Sequence, residues 1–271
     1  MIKISHEVPL QLLEQSVAFN DYDYALVHLF DKYPEYKQFF RDSISMGREV
    51  LLDNSAFELG GSVCEEKLMQ GIRDINPTYV VLPDVIGKYD DTIERSTGFL
   101  EDLKYQKGFG KIPEPIAVLQ GTTLEQYIRC HEYFTHVLKI DYIAIPLYVK
   151  CFATPANTSA MKYSLSRYRL IAELLERNVI NRYSKYHLLG ANDPIEFQWY
   201  RNPAFKFITS ADTSCPIIAG MFDEWLDPVG KEKRSEKLAD NMEMQLSVHQ
   251  VRQIHKNIDI YHQNFVEGIG E

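Results

Sequence analysis

The sequence predicts a single (β/α)8 TIM barrel of the α/β class over residues 1–271. Short runs of aliphatic and β-branched residues recur along the chain, and helix-length amphipathic segments separate them. Most runs are continuously apolar, which is typical of parallel strands covered on both faces. The length agrees, because one such barrel commonly takes ~250 residues. Eight runs are predicted as strands: Ile2–Ile4, Ala25–Phe30, Val50–Asp53, Tyr79–Leu82, Ile116–Leu119, Tyr142–Leu147, Tyr186–Leu189 and Phe205–Thr209.

Helix-start patterns follow several of these runs, as alternating βαβ units require. Ser62–Glu65 and Thr122–Glu125 have the spacing of capping boxes, and Asp193–Glu196 combines an Asp cap with Pro at the first helical position. The stretch 236–266 has a helical apolar stripe, which predicts the last helix of the outer ring. Ile2–Ile4 is the weakest strand, so a doubly wound sheet is the alternative architecture.

The composition predicts a folded protein without membrane spans. Hydrophobic residues make up 45% of the chain and charged residues 25%, which is ordinary for a globular protein. The longest apolar runs are far shorter than the ~20 residues that cross a bilayer. The first residues lack the pattern of a secretory signal, so we expect a cytoplasmic protein. The four cysteines are scattered, so we expect no metal site and no cofactor.

The net charge of −9 argues against a general nucleic-acid coat, because phosphate binding depends on Lys and Arg. Two long segments, 149–168 and 222–237, nevertheless combine basic and aromatic residues after predicted strands. We interpret them as a clamp for a nucleic-acid backbone and unstacked bases, with solvated surface loops as the alternative. The residues predicted to bind nucleic acid are Lys150, Lys162, Arg167, Arg169, Lys231, Lys233 and Arg234.

Polar residues lie at or shortly after the ends of four predicted strands. They are Asp53, Asp84, Gln120 and Asp212, and the carboxyl ends of barrel strands are where active sites lie. An Asp such as Asp84 alone is better explained as a helix cap, but the repetition at several strand ends favours a site. Paired carboxylates cleave glycosidic bonds, one attacking the sugar carbon and the other transferring protons. Cleavage between C1′ and a nucleobase is the same chemistry with a base as the leaving group.

Five short motifs in order resemble the tRNA-guanine transglycosylase superfamily. They are Asp53–Glu58, Leu82–Asp84, Val118–Gly121, His187–Gly190 and Ser210–Asp212, and the family has D-S-G-G-F/Y-Q, F-D-E, V-Q-G-G, L-M-G-V-G and M-F-D-C at comparable intervals. The similarity covers roughly residues 50–215 of the chain.

The resemblance implies exchange of guanine for a 7-deazaguanine through a covalent glycosyl-enzyme. Asp212 would attack C1′ of a guanosine, and Asp53 would act as the general acid and base. The remaining residues would bind the base: Phe57 by stacking, Asp84 at the amino and ring N–H edge, Gln120 and Gly121 at the carbonyl edge, Leu189 and Gly190 on the other face, and Asn54 and Ile145 beside them.

Two departures from the family limit this interpretation. No C-x-C-x-x-C…H zinc motif follows Cys215, and Ile143–Tyr148 replaces the glycine-rich stretch that reads the 7-substituent. The chain is therefore more similar to the zinc-free phage and bacterial branch that modifies DNA, with a preQ0- or preQ1-like base as the second substrate and the host cytoplasm as the site for a phage protein. A guanine in DNA has to be flipped out of the helix. The alternatives are tRNA as the acceptor, a barrel nucleoside or glycoside hydrolase, and a non-catalytic nucleic-acid-binding relative.

Overall fold

A computed structural model of the chain describes residues 2–105, 111–152, 156, 158–226 and 236–266. The strands in this part of the chain are β1 (Lys3–Ser5), β2 (Asp23–Leu26), β3 (Val50–Asp53), β4 (Tyr79–Val81), β5 (Glu114–Val118), β6 (Tyr142–Ile145), β7 (Lys185–Leu188) and β8 (Ile208–Asp212). The α-helices are α1 (Leu13–Ser16), α2 (Pro34–Ser45), α3 (Ala56–Leu59), α4 (Glu65–Ile75), α5 (Tyr89–Tyr105), α6 (Leu124–Glu132), α7 (Ser159–Glu176), α8 (Glu196–Trp199), α9 (Cys215–Met221) and α10 (Val248–Val266).

The strand order confirms the predicted α/β class with a (β/α)8 TIM-barrel topology. The eight strands form one sheet in the order β1-β8-β7-β6-β5-β4-β3-β2, and their pairings are parallel. Neighbours in the sheet follow the chain order, so the sheet lacks the reversal of strand order that defines a doubly wound fold. The weakest predicted strand, Ile2–Ile4, corresponds to β1, which pairs with β8 so that Ser5 lies opposite Asp212.

The chain divides into two compact units. Tyr22–Ala144, here called the central unit, contains β2 to β5. Met1–Asp21 together with Ile145–Glu271, here called the terminal unit, contains β1, β7 and β8. The last residue of β6 belongs to the terminal unit and the rest of that strand to the central unit. The extent of a single domain over residues 1–271 stays a prediction.

Close packing in each unit depends on a helical glycine. A Cβ atom on Gly71 of α4 would lie 2.6 Å from the Val27 side chain, so any larger residue would push α4 away from the segment after β2. A Cβ atom on Gly220 of α9 would lie 2.6 Å from the backbone nitrogen of Ile254 in α10. Because backbone cannot move aside as a flexible side chain can, the contact between α9 and α10 requires glycine at this position.

The capping box predicted at Ser62–Glu65 is wrong. Helix α4 begins at Glu65, after Cys64, and has no side-chain cap. The Ser62 hydroxyl instead binds the backbone of Asp84, donating to its carbonyl at 2.6 Å and accepting from its N–H at 3.0 Å. The hydroxyl therefore ties the loop after β3 to the end of β4, a role that local sequence spacing does not encode.

The helix start predicted at Thr122–Glu125 is found one residue later. Thr123 rather than Thr122 caps α6, because its side chain accepts a hydrogen bond from the N–H of Gln126. The side-chain Oε1 atom of Gln126 accepts from the N–H of Thr122 at 2.8 Å, whereas a capping box would return to the N–H of Thr123. The helix start predicted at Asp193 is wrong, because α8 begins at Glu196 and has no side-chain cap; Asp193 instead accepts a hydrogen bond from the N–H of Ile195 at 3.2 Å, before the helix.

The predicted C-terminal stripe corresponds to α10, which begins at Val248 rather than near residue 236. Its buried face includes Ile254, Ile258 and Tyr261, which are spaced by three or four residues, as one helix face requires. None of the helices in the described part of the chain is long and apolar enough to cross a membrane.

His6, directly after β1, is a buried titratable group in the terminal unit. Its ring lies 5.8 Å from the Tyr261 ring and 5.7 Å from the His262 ring, measured between centroids. Burial, reinforced by the nearby His262 and opposed by the Thr213 backbone, lowers the pKa of His6 to about 3. The imidazole is therefore neutral in the folded protein at neutral pH.

We expect the free energy of unfolding to decrease as the pH falls from 6.5 towards 3, because the unfolded chain binds a proton that folded His6 excludes. One such proton contributes about 1.4 kcal/mol per pH unit. Urea titrations at pH 7, 6 and 5 measure the effect. The free energy of unfolding of His6→Gln should increase relative to that of the parent as the pH falls. His255→Gln, at an exposed position of α10, is the control and should show the pH dependence of the parent. Parallel pH profiles for His6→Gln and the parent would contradict the buried neutral state.

Candidate active site

Polar side chains at the strand ends of the central unit form a hydrogen-bonded cluster of Asn54, Asp84 and Gln120, here called the amide–carboxylate cluster. The Nδ2 group of Asn54 donates to Asp84 Oδ1 at 2.8 Å and to the Leu82 carbonyl at 2.7 Å. The Nε2 group of Gln120 donates to Asp84 Oδ2 at 2.7 Å. The structure thus brings together three of the predicted base-binding residues, from the ends of β3, β4 and β5.

Both amides of this cluster are fixed at their carbonyl ends as well. Asn54 Oδ1 accepts from the N–H of Ala56 at 2.8 Å, and Gln120 Oε1 accepts from the N–H of Gly87 at 2.8 Å. These contacts settle which end of each amide faces Asp84. Asn54 and Gln120 therefore orient the carboxylate, and each Asp84 oxygen keeps acceptor capacity for a further donor.

The electrostatic environment of Asp84 is set by burial. Its side chain is almost completely covered, and this burial raises the pKa of Asp84 above its ordinary value. Hydrogen bonds from Asn54 and Gln120, with the charge of Arg95, oppose the increase. A carboxyl group in this balance can accept hydrogen bonds when ionised and donate one when protonated.

Asp53 and Phe57 lie on the segment between β3 and α4. Asp53 is buried at the end of β3, and its Oδ2 atom accepts from the N–H of Ser55 at 2.7 Å. Ser55 has a left-handed backbone with φ of 60°, which turns the chain sharply into α3. Phe57 on α3 is exposed, as a ring that stacks on a ligand has to be.

In the terminal unit, Asp212 at the end of β8 is held by a group of three residues, here called the Asp212 group: His187, Gly190 and Ser210. Asp212 Oδ1 lies 3.0 Å from His187 Nε2 and accepts from the N–H of Gly190 at 3.1 Å. Asp212 Oδ2 shares the Gly190 N–H at 3.2 Å. On the other side of the imidazole, His187 Nδ1 lies 2.8 Å from Ser210 Oγ.

The hydrogen-bond roles in the Asp212 group follow from what each atom can do. An ionised carboxylate accepts and does not donate, so His187 Nε2 carries the proton and Nδ1 accepts from the Ser210 hydroxyl. The strand register explains the alignment, because His187 lies opposite Ser210 on the same face of the β7–β8 pair. The alternating pleat then places Asp212 on that face also.

His187 is a functional candidate that the sequence prediction missed. It lies within the fourth motif, for which the sequence prediction gives a role only to Leu189 and Gly190. The signal available was one polar residue inside the otherwise apolar run Tyr186–Leu189. A polar side chain in a covered strand needs a hydrogen-bond partner, and here that partner is the predicted nucleophile.

The other predicted base-binding residues are placed as follows. Leu189 and Gly190 form the turn that contacts Asp212, and Gly190 has φ of 63°, which favours glycine. Gly121 is buried against α6, where a Cβ atom would lie 2.8 Å from the Gln126 side chain. Ile145 is predicted beside the base, but its side chain has no exposed surface. It packs in the protein interior instead.

The prediction that Arg167 binds nucleic acid is wrong. Its side chain is 0% exposed and forms an ion pair with Glu196, which is also 0% exposed. Burial opposes the charge, but Glu196 outweighs that effect, and the pKa of Arg167 is raised. A buried guanidinium with a carboxylate partner cannot contact a phosphate backbone.

Three other predicted nucleic-acid residues, Lys150, Lys162 and Arg169, are exposed. Aromatic rings accompany them: Arg169 lies over the Phe152 ring, 4.5 Å from its centroid, and the rings of Tyr148 and Tyr163 lie 4.6 Å apart. We call these residues the basic–aromatic surface. The predicted residues Lys231, Lys233 and Arg234 lie outside the described residues. In the part of the chain that is described, no group of three His, Cys, Asp or Glu side chains is arranged to hold a metal ion.

Asn54→Asp tests the amide–carboxylate cluster by placing two carboxylates within hydrogen-bond distance. Because the site is buried, we expect the free energy of unfolding to fall by roughly 2–4 kcal/mol at pH 7. The loss should shrink at pH 5, where one proton shared by the pair relieves the repulsion. Urea denaturation measures both values.

Gln70→Glu is the matched control for this substitution, because Gln70 donates to Asp74 at 2.9 Å on the surface. The same amide-to-acid change should there cost less than about 1 kcal/mol, since water screens exposed charges. Equal losses in the two variants would show that Asp84 is not held in a buried network.

No protein-family model matches the sequence, and no curated protein matches it.

Proposed function

We propose that this protein is a pentosyltransferase that replaces guanine in DNA with a 7-deazaguanine. The observation that carries the proposal is the geometry around Asp212, a carboxylate at the end of β8 whose side chain is 6% exposed. Two donors, His187 Nε2 and the N–H of Gly190, converge on its Oδ1 atom. These hydrogen bonds hold the carboxylate in one orientation, as a nucleophile that attacks a single carbon atom requires.

The distribution of hydrogen bonds favours Oδ2 as the attacking atom. Oδ1 accepts from two donors, whereas Oδ2 shares the Gly190 N–H at the longer distance of 3.2 Å. An oxygen with fewer hydrogen bonds loses less on forming a new bond. We therefore assign the attack on C1′ to Asp212 Oδ2, with His187 keeping the carboxylate oriented through Oδ1.

The proposed reaction is a double displacement. Asp212 forms a bond to C1′ as the bond from C1′ to guanine N9 breaks, and the electron pair of that bond leaves with the guanine ring. Asp53 donates a proton to the departing base. Asp53 then accepts a proton from the incoming 7-deazaguanine, whose nitrogen attacks C1′ and displaces Asp212. Two inversions at C1′ restore the original configuration, as in retaining glycosidases.

The central unit supports recognition of a guanine-like heterocycle. When ionised, the Asp84 carboxylate offers acceptor capacity on two oxygens, which matches the adjacent ring N–H and amino group of guanine. The amides of Asn54 and Gln120 hold that carboxylate in one orientation. Phe57, which is exposed on α3, provides an aromatic face for stacking.

The basic–aromatic surface supports a nucleic-acid acceptor, and the lack of a C-x-C-x-x-C…H motif after Cys215 is our reason for preferring DNA to tRNA. Its exposed cations give local positive charge on a chain whose net charge is −9, which allows binding of a phosphate backbone despite the overall repulsion. We place this activity in the cytoplasm, where the DNA of a cell or of an infecting phage is accessible.

Base exchange is tested by incubating the protein with plasmid DNA or tRNA and labelled guanine, then counting the label retained in the polymer. We expect incorporation into DNA, and we expect Asp212→Asn to reduce it by roughly 10³-fold or more, as removal of a nucleophile does. Asp223→Asn is the matched control, because Asp223 is an exposed aspartate in the same unit that pairs with His249.

The remaining outcomes of this assay separate the alternatives. Label in tRNA alone would overturn DNA as the acceptor and keep the exchange chemistry. Release of guanine without incorporation would indicate a hydrolase that uses water to resolve the intermediate. Binding of DNA with neither label nor release would indicate a non-catalytic relative and would overturn the proposal.

Charge reversal at Lys162 and Arg169 tests the basic–aromatic surface. Because each phosphate contact releases counterions, we expect Lys162→Glu/Arg169→Glu to weaken DNA binding about tenfold or more at low salt and to reduce the salt slope by about two. Fluorescence anisotropy with a labelled oligonucleotide measures both quantities. Lys206→Glu is the single-charge control, because Lys206 is an exposed lysine before β8. An equal loss of DNA affinity per reversed charge in this variant would indicate non-specific electrostatics.

A further inference from the structure

One peptide group, between Leu189 and Gly190, faces Asp212 on one side and a buried guanidinium on the other. Its N–H donates to Asp212 Oδ1 at 3.1 Å, and its carbonyl oxygen accepts from Arg167 Nη1 at 2.5 Å. In a trans peptide the carbonyl oxygen and the amide hydrogen point in opposite directions. Arg167 therefore determines where this N–H points, although it does not contact the carboxylate through a hydrogen bond.

Arg167 is itself fixed in one position. Its Nε and Nη2 groups donate to the two carboxylate oxygens of Glu196 at 2.8 and 2.6 Å. The hydroxyl of Tyr200 donates to Glu196 Oε1 at 2.8 Å. The paired geometry leaves the guanidinium with a single orientation, and α7 and α8, which carry the pair, are thereby joined to the turn after β7.

The charge of Arg167 also strengthens the contact with Asp212. A cation at the carbonyl oxygen polarises the peptide group and makes its N–H a better donor, and the effect is large where water is excluded. The same turn is tied to β8 by its main chain, because the N–H of Ala191 donates to the carbonyl of Asp212 at 2.8 Å. The orientation of the Asp212 carboxylate thus depends on the Leu189–Gly190 turn, and Arg167 binds the Leu189 carbonyl of that turn.

We propose that Arg167 is a positioning residue for Asp212, acting through the peptide group between Leu189 and Gly190. The inference rests on the proposed function for the role of Asp212 in base exchange. The positioning contact itself is measurable without any reaction, so the failure of one is distinguishable from the failure of the other.

The test replaces the whole ion pair, because removing one partner would leave an unpaired buried charge. Arg167→Met/Glu196→Leu keeps similar side-chain volumes, and replacement of a buried pair by apolar residues is often tolerated. Hydrogen exchange at the Gly190 amide is the first readout. We expect exchange to accelerate about tenfold or more relative to the parent, the factor that corresponds to loss of one net hydrogen bond.

The second readout is the kinetics of base exchange. A misplaced nucleophile with an intact binding surface should lower kcat by about 10- to 100-fold with little change in KM. Glu173→Leu/Arg177→Met is the matched control, because it makes the same replacements in a surface Arg–Glu pair at the end of α7 and leaves the contact between Arg167 and the Leu189 carbonyl in place. It should leave both the Gly190 exchange rate and kcat within about threefold of the parent.

Arg167→Lys is a second variant that keeps the charge opposite Glu196. The ammonium cannot reproduce the planar fork, so we expect Gly190 exchange between the rates of the parent and the double variant. Unchanged Gly190 exchange in both variants would overturn the positioning role. If the parent protein performs no base exchange but the Gly190 amide exchanges hydrogen faster in the variants, the positioning role is kept and the proposed function is overturned.

Discussion

The amide–carboxylate cluster and the Asp212 group each depend on one constraint: a carboxylate buried at a strand end must be hydrogen-bonded. Burying an ionised carboxylate without donors is very costly, yet Asp84 and Asp212 both have side chains that are almost covered. Each therefore requires donors that the fold supplies at fixed positions. The parallel strands provide them, because residues that follow neighbouring strands emerge at the same edge of a sheet.

The two units meet this constraint in different ways, and the difference matches the proposed roles. In the central unit, two side-chain amides hold Asp84, and burial still raises its pKa. That arrangement suits recognition, where a carboxyl group reads donors on a ligand. In the terminal unit, an imidazole and a backbone N–H hold Asp212, which suits a nucleophile that must be oriented. We attribute the separation of base recognition from nucleophilic attack to these two environments.

Local sequence patterns predicted the place of each strand because apolar runs record burial directly, but the runs Ala25–Phe30 and Phe205–Thr209 overlap β2 and β8 by only two residues each. Val50–Asp53 was predicted with the bounds observed, and Asp53, Asp84 and Asp212 follow from the strand ends. The buried partners could not be predicted in the same way, because each pairing joins distant parts of the chain. Arg167 illustrates this: its place on the apolar face of α7 with Leu170, Ile171 and Leu174 signals burial, but Glu196 as its partner becomes evident only in three dimensions. Ser62 likewise fits a helix cap by spacing and instead binds the backbone of Asp84.

The most direct test of the account is identification of the residue that carries the glycosyl intermediate. The protein is incubated with guanine-containing DNA without the incoming base, denatured, and digested, and the peptide that carries the base-free deoxyribose phosphate is sequenced by mass spectrometry. We expect the modified peptide to contain Asp212, with the sugar attached through its carboxylate. A modified peptide that contains Asp53 instead, or base exchange that proceeds with no sugar bound to the protein, would contradict the central claim.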